Sequence, residues 1–338
     1  MLAIVRAMTI HGYGGPEVFR EEDVPKPTPR PNDVLVRVCA AAVNPVDWKI
    51  RSGGQRNIIR LDFPWILGLD VSGVVEAVGS RVTRFRVGDE VYASPRHTRP
   101  GCYAEHVAID EREAAKKPKN LSHDEAASIP LVGLTAYQCV LEKGRLVRGQ
   151  RVLVHAGSGG VGAFAVQLAR HTGAHVVATC SGKNADFVRG LGADEIVDYT
   201  KGPFEEATGD MDLVLDSLGE PAFEGNLKVT KRGGRISNIT VDVTAHVEKY
   251  GAFFSLFSLG YAMARFHVVP YLRKRVVFRH VIKRCDGAQL GEITKLVEEG
   301  AIVPTLEKVF PLGEVGKAHE LSASHRARGK IVLHVADP

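Results

Sequence analysis

The stretch Arg151-Val-Leu-Val-His-Ala-Gly157-Ser-Gly-Gly-Val-Gly162 decides the fold. An apolar run enters a glycine turn, and Phe164, Val166, Leu168 and Ala169 follow as the buried side of a helix would. Glycines 157, 159 and 162 fit G-x-G-x-x-G. Such a turn brings the backbone close to a pyrophosphate, which then lies at the positive end of the helix dipole. A second apolar run, His175-Val-Val-Ala-Thr179, comes within one βαβ length, so the motif stands in the context it needs. A dinucleotide site is expected.

The end of that second run indicates which dinucleotide. NAD is usually held there by an Asp or Glu that binds the ribose hydroxyl. Here the chain reads Cys180-Ser181-Gly182-Lys183-Asn184, with a hydroxyl and an ammonium and no acid. A carboxylate would repel a 2′-phosphate and an ammonium attracts it, so NADPH is the expected cofactor. The alternative for Ser181 and Lys183 is a solvated loop.

From about residue 128 the pattern alternates helices with strands, expected at 151–156, 175–180, 195–199, 212–217, 235–240 and 275–281. That is a doubly wound parallel sheet. Residues 1–127 carry short β-rich runs separated by Pro and Gly turns, such as Asp33-Val-Leu-Val-Arg-Val-Cys39 and Val71-Ser-Gly-Val-Val-Glu-Ala-Val78. They predict an antiparallel, barrel-like domain. A helix near 288–299 and a strand at 330–335 follow the sixth strand, and the segment 284–338 is expected to return to the first domain. With 338 residues, two domains are comfortable, the second spanning 128–283.

Composition narrows the class. No apolar run is long enough to span a bilayer. Met1-Leu-Ala-Ile-Val-Arg6 has too short an apolar run for a signal peptide, so a cytoplasmic location is expected. Five dispersed cysteines without C-x-x-C imply reduced thiols and no structural zinc lobe. A net charge of +5 suits phosphate-bearing ligands and falls short of a nucleic-acid signature. Arg265, Arg273, Lys274, Arg275, Arg279, Lys283 and Arg284 form a run with one sign of charge, either a solvated face or a landing surface for a phosphorylated partner.

The whole chain resembles the medium-chain dehydrogenase/reductase superfamily, and within it the zinc-independent quinone oxidoreductases. The segments that carry the resemblance are Gly12-Tyr-Gly-Gly-Pro-Glu-Val18, Ala41-Ala-Val-Asn-Pro-Val-Asp47, Gly68-Leu-Asp-Val-Ser-Gly73, Gly88-Asp-Glu-Val-Tyr92, Leu134-Thr-Ala-Tyr137 and Arg328-Gly-Lys330. Phe278-Arg-His280, Asp198-Tyr199 and Arg326-Ala-Arg328 place it near the reticulon-interacting mitochondrial oxidoreductases and the plant alkenal or enone reductases. The resemblance implies a GroES-like barrel that carries the catalytic groups and a Rossmann domain that carries the cofactor. Where zinc-dependent relatives place metal ligands, this chain looks to have Asn44, Leu69 and Leu131, and two leucines cannot coordinate zinc.

Carried over residue by residue, the resemblance implies backbone contacts to the pyrophosphate from Ser158, Gly159, Gly160 and Val161. It puts Ser181, Lys183 and Tyr199 around the 2′-phosphate and Thr135 near the nicotinamide, with Leu218, Ile239, Phe278, His280, Arg326, Ala327 and Arg328 as further cofactor contacts. Asn44, Asp47 and Lys49 are the expected catalytic cluster, with Asp47 orienting Asn44 or Lys49 and no metal. The implied activity is hydride transfer from NADPH to a quinone or an α,β-unsaturated carbonyl, whose conjugation spreads the arriving charge. An enoyl-thioester reductase, and a non-catalytic protein that kept the cofactor fold, are the alternatives. The substrate pocket would be shaped by loops 50–64, 94–102 and 241–266. A homodimer joined along the sixth strand is the expected assembly, with a small-molecule substrate and neither membrane nor nucleic acid as partner.

Overall fold

The computed structural model describes residues 3–240 and 264–338. Most of the expected pocket loop 241–266 therefore lies outside the described residues. The chain separates into two units, one of Met1–Leu134 with Arg284–Pro338 and one of Thr135–Lys283.

The first unit is organised by the strand Asp33–Val43, whose eleven residues are buried except Arg37. Its Asp33–Arg37 half pairs with His106–Asp110, and its Ala40–Val43 half pairs with Lys330–His334. Register shifts against Val71–Val78, between Leu35 and Val36 and between Val38 and Ala40, bend the strand between these neighbours. Glu90–Ala93 and Ala114–Lys116 extend the sheet to one side, and Leu306–Pro311 extends it to the other. All pairings in this sheet are antiparallel apart from Leu306–Pro311 with Lys330–His334. The tail thus supplies strands to the sheet that begins at Asp33. A separate three-stranded sheet joins Phe19–Pro25, Ile4–Ile10 and Trp65–Ile66.

The second unit is a six-stranded parallel sheet. In space its strands run Glu195–Asp198, His175–Cys180, Arg151–Val154, Met211–Asp216, Thr230–Asn238 and Val277–His280. Within the unit this is the order 3-2-1-4-5-6, with the reversal of direction at the strand that feeds the glycine turn. That strand stops at Val154, two residues short of the expected Ala156, because Ala156 already has φ of 50°. Thr179 holds the unusual conformation: its Oγ1 accepts from Ala156 N–H at 3.1 Å and its carbonyl accepts from Gly157 N–H at 2.8 Å.

The turn glycines have separate steric reasons. A Cβ on Gly157 would stand 3.0 Å from Ala178 Cβ on the next strand, and one on Gly162 would stand 2.1 Å from Ala156 O. A Cβ on Gly159 would meet only Ala156 O, at an ordinary 3.4 Å. Its missing side chain is therefore not demanded by the protein's own packing.

The basic run is largely answered within the chain. Arg265 and Arg273, on a helix covering residues 264–274, pair with Glu220 and Glu224. Lys274 Nζ donates to the carbonyls of Leu227, Lys228 and Thr230 at 2.7–3.0 Å, capping the helix Phe223–Val229. Beneath them Phe223, Phe266 and Phe278 pack with ring centroids 4.8–5.9 Å apart. Among the described residues no helix is long and apolar enough to cross a membrane.

Phe223→Ala should cost about 3–5 kcal/mol, read as a lower midpoint in urea unfolding. Gly162→Ala should lose about 1–3 kcal/mol by forcing the turn apart. Gly190→Ala, where a Cβ meets nothing within 4 Å, should leave the melting temperature unchanged or raised.

Candidate active site

In the second unit, the sequence-predicted cofactor residues gather at the carboxyl ends of the strands. Ser158, Gly159, Gly160 and Val161 lead into the helix Gly160–His171, with Gly159 as its N-cap. Ser158 Oγ accepts from Asn184 Nδ2 at 3.1 Å, which ties the turn to the loop after the second strand. Cys180 is the register partner of Asp198, so Ser181 and Tyr199 each lie one residue beyond a paired position on adjacent strands. Lys183 is exposed, and Tyr199 is 59% exposed. Thr135 is buried in the sixth position of the helix Pro130–Tyr137 and so does not open it.

The remaining strand ends are linked by hydrogen bonds. Asp216 Oδ1 accepts from the N–H groups of Leu218 and Gly219 at 2.9 and 3.0 Å, while Asp216 Oδ2 accepts from Asn238 Nδ2 at 2.7 Å. Asn238 Oδ1 lies 3.1 Å from His280 Nδ1. Ile239 N–H donates to the Asp216 carbonyl. This chain fixes Leu218, Ile239 and His280 across three strands. Burial lowers the pKa of His280, and its Nε2 is buried without a partner among the described residues. Phe278, two residues earlier on the same face, lies in the aromatic core instead, at 2% exposure. Arg326, Ala327 and Arg328 belong to the first unit, where Arg328 meets Glu307 and Ala327 packs on the barrel core.

The first unit holds a buried polar cluster that sequence reasoning found only in part. Asn44 precedes the helix Pro45–Arg51, and its N–H donates to Asp47 Oδ2 at 2.8 Å, as capping chemistry favours. Its side chain faces Lys330 and Asp70. Lys330 Nζ donates to Asn44 Oδ1, to Asp70 Oδ2 at 3.0 Å and to the Val43 carbonyl at 3.2 Å. An ammonium can only donate, which fixes the orientation of the amide. Asn44 Nδ2 then donates to Asp70 Oδ2 at 2.9 Å and to Asp47 Oδ2 at 3.4 Å. Asp70 Oδ1 accepts from Leu131 N–H at 2.7 Å. Tyr103 OH donates to Asp47 Oδ2 at 3.2 Å and lies 3.1 Å from His319 Nε2.

Every side-chain polar atom of Asn44, Asp70 and Lys330 is thus engaged, and two in the wider group are not, His319 Nδ1 behind Tyr103 and one oxygen of Asp47. Asp47 Oδ1 is buried with no hydrogen-bond partner among the described residues. Asp47 also lines a recess of about 10 Å³ with Trp65, Leu69, His97, Arg99 and Gly101. Burial, reinforced by the Asp70 carboxylate, pushes Asp47 up to about 7 against the pull of Asn44 N–H, Lys330 and Tyr103. Burial raises Tyr103 as well, and burial beside Arg51 takes His319 down to about 3, leaving its ring neutral.

Lys49 is not brought into this cluster. Its side chain is exposed and its ammonium rests over the Trp48 ring, 5.7 Å from the centroid. The cation at Asn44 is Lys330, 286 positions along the chain. Asp70 and Lys330 both stood in segments that carried the family resemblance, and a lysine heading the apolar run Ile331-Val-Leu333 was a legible signal. His319 and Tyr103 gave no comparable one.

Known proteins match this architecture over nearly its whole length. The family model described as an alcohol dehydrogenase GroES-like domain matches residues 30–119, and one described as a zinc-binding dehydrogenase matches 191–333. The chain is 34% identical over 355 residues to mouse (Mus musculus) NAD(P)H oxidoreductase RTN4IP1, mitochondrial, covering 98% of this chain and 89% of that protein. It is 32% identical over 343 residues to the NADPH-dependent alkenal/one oxidoreductase, chloroplastic, of Arabidopsis thaliana, covering 98% and 79%. The solved quinone oxidoreductase of Coxiella burnetii superposes with a TM-score of 0.84 at 31% identity, covering 98% of this chain and all of that one. The relatives' organellar names overturn the expected cytoplasmic location, which rested on the first six residues alone. The shared barrel, parallel sheet and returning tail have one reading: the chain belongs to the medium-chain dehydrogenase/reductase superfamily, in the branch of quinone oxidoreductases and alkenal/enone reductases, as an oxidoreductase with a nicotinamide cofactor.

Proposed function

We propose that the protein reduces quinones or α,β-unsaturated carbonyl compounds with NADPH and without a metal. The observation that carries the cofactor choice is the pair of strand ends at Cys180 and Asp198. They bring Ser181, Lys183 and Tyr199 to the ends of adjacent strands, and the second strand runs directly into Ser181-Gly-Lys-Asn184, which holds no acid. The residues fit the dinucleotide: the packing tolerates a backbone approach at Gly159, and the buried Nε2 of His280 is a polar atom for a carboxamide to meet. Bound there, NADPH would supply hydride. Ser158 to Val161 would hold its pyrophosphate with backbone N–H groups, and Leu218 and Ile239 would form an apolar floor.

A catalytic zinc does not fit the residues present. Leu69 and Leu131 offer no donor atoms, and Asn44 Oδ1 and Asp70 Oδ2 are both turned to the Lys330 ammonium. An acceptor whose conjugation carries the developing charge needs no Lewis acid, which favours quinones and enones over simple ketones. An enoyl thioester shares that chemistry, but the basic run that would have greeted its carrier is largely paired internally. The strand Val277–His280 ends its sheet, and a homodimer along that edge belongs to the same proposal.

Oxidation of NADPH and of NADH against a panel of quinones, enones and enoyl thioesters tests the reading. Turnover should be fastest with NADPH and a quinone or enone, and no turnover with any acceptor would end the claim. Lys183→Glu should shift the NADPH/NADH preference toward NADH by roughly 10- to 100-fold, the worth of one charge-assisted phosphate contact. An equal loss with both cofactors would refute the 2′-phosphate role of Lys183.

A further inference from the structure

We infer that Asp47 is the proton donor for the reduction, delivering its proton from Oδ1 through one water held in the recess it lines. The inference rests on the reading that an enone is an acceptor. Its basis is a count of charges and partners in the buried cluster. Two carboxyls, Asp47 and Asp70, share one ammonium, Lys330. Two buried carboxylates beside a single cation leave one negative charge uncompensated, and such a site keeps one carboxyl neutral.

The hydrogen bonds indicate which one. Asp70 accepts at both oxygens, from Lys330, Asn44 Nδ2 and Leu131 N–H, and is the partner of the ion pair. Among the described residues Asp47 accepts only at Oδ2, from Asn44 N–H, Tyr103 OH and, at 3.4 Å, Asn44 Nδ2. An oxygen already receiving donors is a poor place for a proton, so the acid proton of Asp47 belongs on Oδ1, the atom without a partner. The recess has room for about one water, and its wall is otherwise mainly apolar apart from His97 and Arg99. Arg99 is held in a two-point pair with Asp33, at 3.0 and 2.6 Å.

Bound NADPH would supply the hydride; an enone that takes it at the β-carbon would carry the former C=C electron pair as an enolate. The enolate α-carbon takes a proton from the recess water, and that water takes the proton of Asp47 Oδ1–H. The product is the saturated carbonyl and an Asp47 carboxylate, which regains a proton from solvent on product release. Tyr103 is a positioning residue here. It occupies Oδ2 and so keeps the proton on Oδ1, while His319 anchors its hydroxyl from behind.

The test combines three variants with two acceptors, cyclohexenone and 1,4-benzoquinone. Asp47→Asn keeps an oxygen for Asn44 N–H and a donor in the recess but has no transferable proton. It should lower kcat for cyclohexenone by about 10²-fold or more. It should lower kcat for benzoquinone far less, because a hydroquinone anion is stable enough to take its proton from bulk water. An equal effect on both acceptors, or none on either, would overturn the inference while leaving the proposed function standing. Failure of the wild type to reduce either acceptor would remove both.

The pH profile adds a second readout. A donor must be protonated, so wild-type kcat for cyclohexenone should fall as pH rises through about 7. Among the described residues the ionisable and charged groups around Asp47 are Tyr103 directly, Asp70 and Lys330 beyond Asn44, His97 and Arg99 across the recess, His319 and Arg51 behind Tyr103, and Lys49 on its own helix. His97→Gln should keep the limb. Tyr103→Phe removes a hydrogen bond that favours the carboxylate and should move the limb to higher pH, which a merely structural tyrosine would not do. In the cofactor-free protein, the infrared band of a protonated carboxyl should titrate with the same midpoint and vanish in Asp47→Asn. If Asp47→Asn does not fold, an unmoved limb in Tyr103→Phe is enough to reject the role.

Discussion

The buried carboxylate of Asp70 joins parts of the chain that sequence keeps far apart. It accepts from Asn44 at the end of the first long strand, from Leu131 at the start of a helix and from Lys330 at the head of the last strand, 26, 61 and 260 positions away. A buried pair of this kind adds little net stability over an apolar one, yet removing one partner is costly because it strands a charge. Its consequence here is specificity of docking. The register in which the tail enters the sheet sets Lys330 beside Asp70. Gly329, at φ of 72°, shapes the approach, since a Cβ there would stand 2.2 Å from Thr305 O.

The two halves of the machinery follow opposite physical designs. The side proposed to hold the cofactor consists of strand ends and backbone, with exposed Lys183 and Tyr199 and a glycine whose missing side chain the protein's own packing does not require. The acid side is built from side chains buried in the barrel and tied to one another. Loops and strand ends can present donors to a large ligand. A perturbed carboxyl needs the low dielectric of a closed interior, where a neighbouring charge acts at full strength.

How much was legible in the sequence depended on how local the physics was. The parallel sheet was written in glycine spacing and apolar periodicity, and the strand His175–Cys180 lies where expected. The acidic-cluster cation was not local. Asp47 and Lys49 are two residues apart, which is roughly 200° around a helix, so they face opposite sides and Lys49 goes to solvent. The lysine that answers Asp70 could be identified only once the tail was seen to return. The basic run was left open for the same reason, since the acids that pair with Arg265 and Arg273, Glu220 and Glu224, lie more than 40 positions upstream. Alternation along Val277–His280 put Phe278 and His280 on one face, but depth along the strand separated them, one into the core and one to the sheet's rim.

Asp198 bears on how the strand ends could favour a phosphorylated ribose, because it is an acid close to the loop that would hold it. A Cβ on Gly182 would stand 2.6 Å from Asp198 Oδ2, so the carboxylate lies directly against that backbone. It is not left to face a ligand alone. Asp198 Oδ1 accepts from the Thr200 N–H at 3.0 Å and the Thr200 hydroxyl at 2.7 Å, and these bonds hold its pKa below the usual carboxylate range. Hydrogen-bond donors spread the carboxylate's charge into the turn that follows the strand, and solvent screens what remains. The position that would hold the ribose of NAD, by contrast, is the end of the second strand, where Ser181 and Lys183 stand. Discrimination at this edge therefore depends on which strand carries the acid more than on whether an acid is nearby.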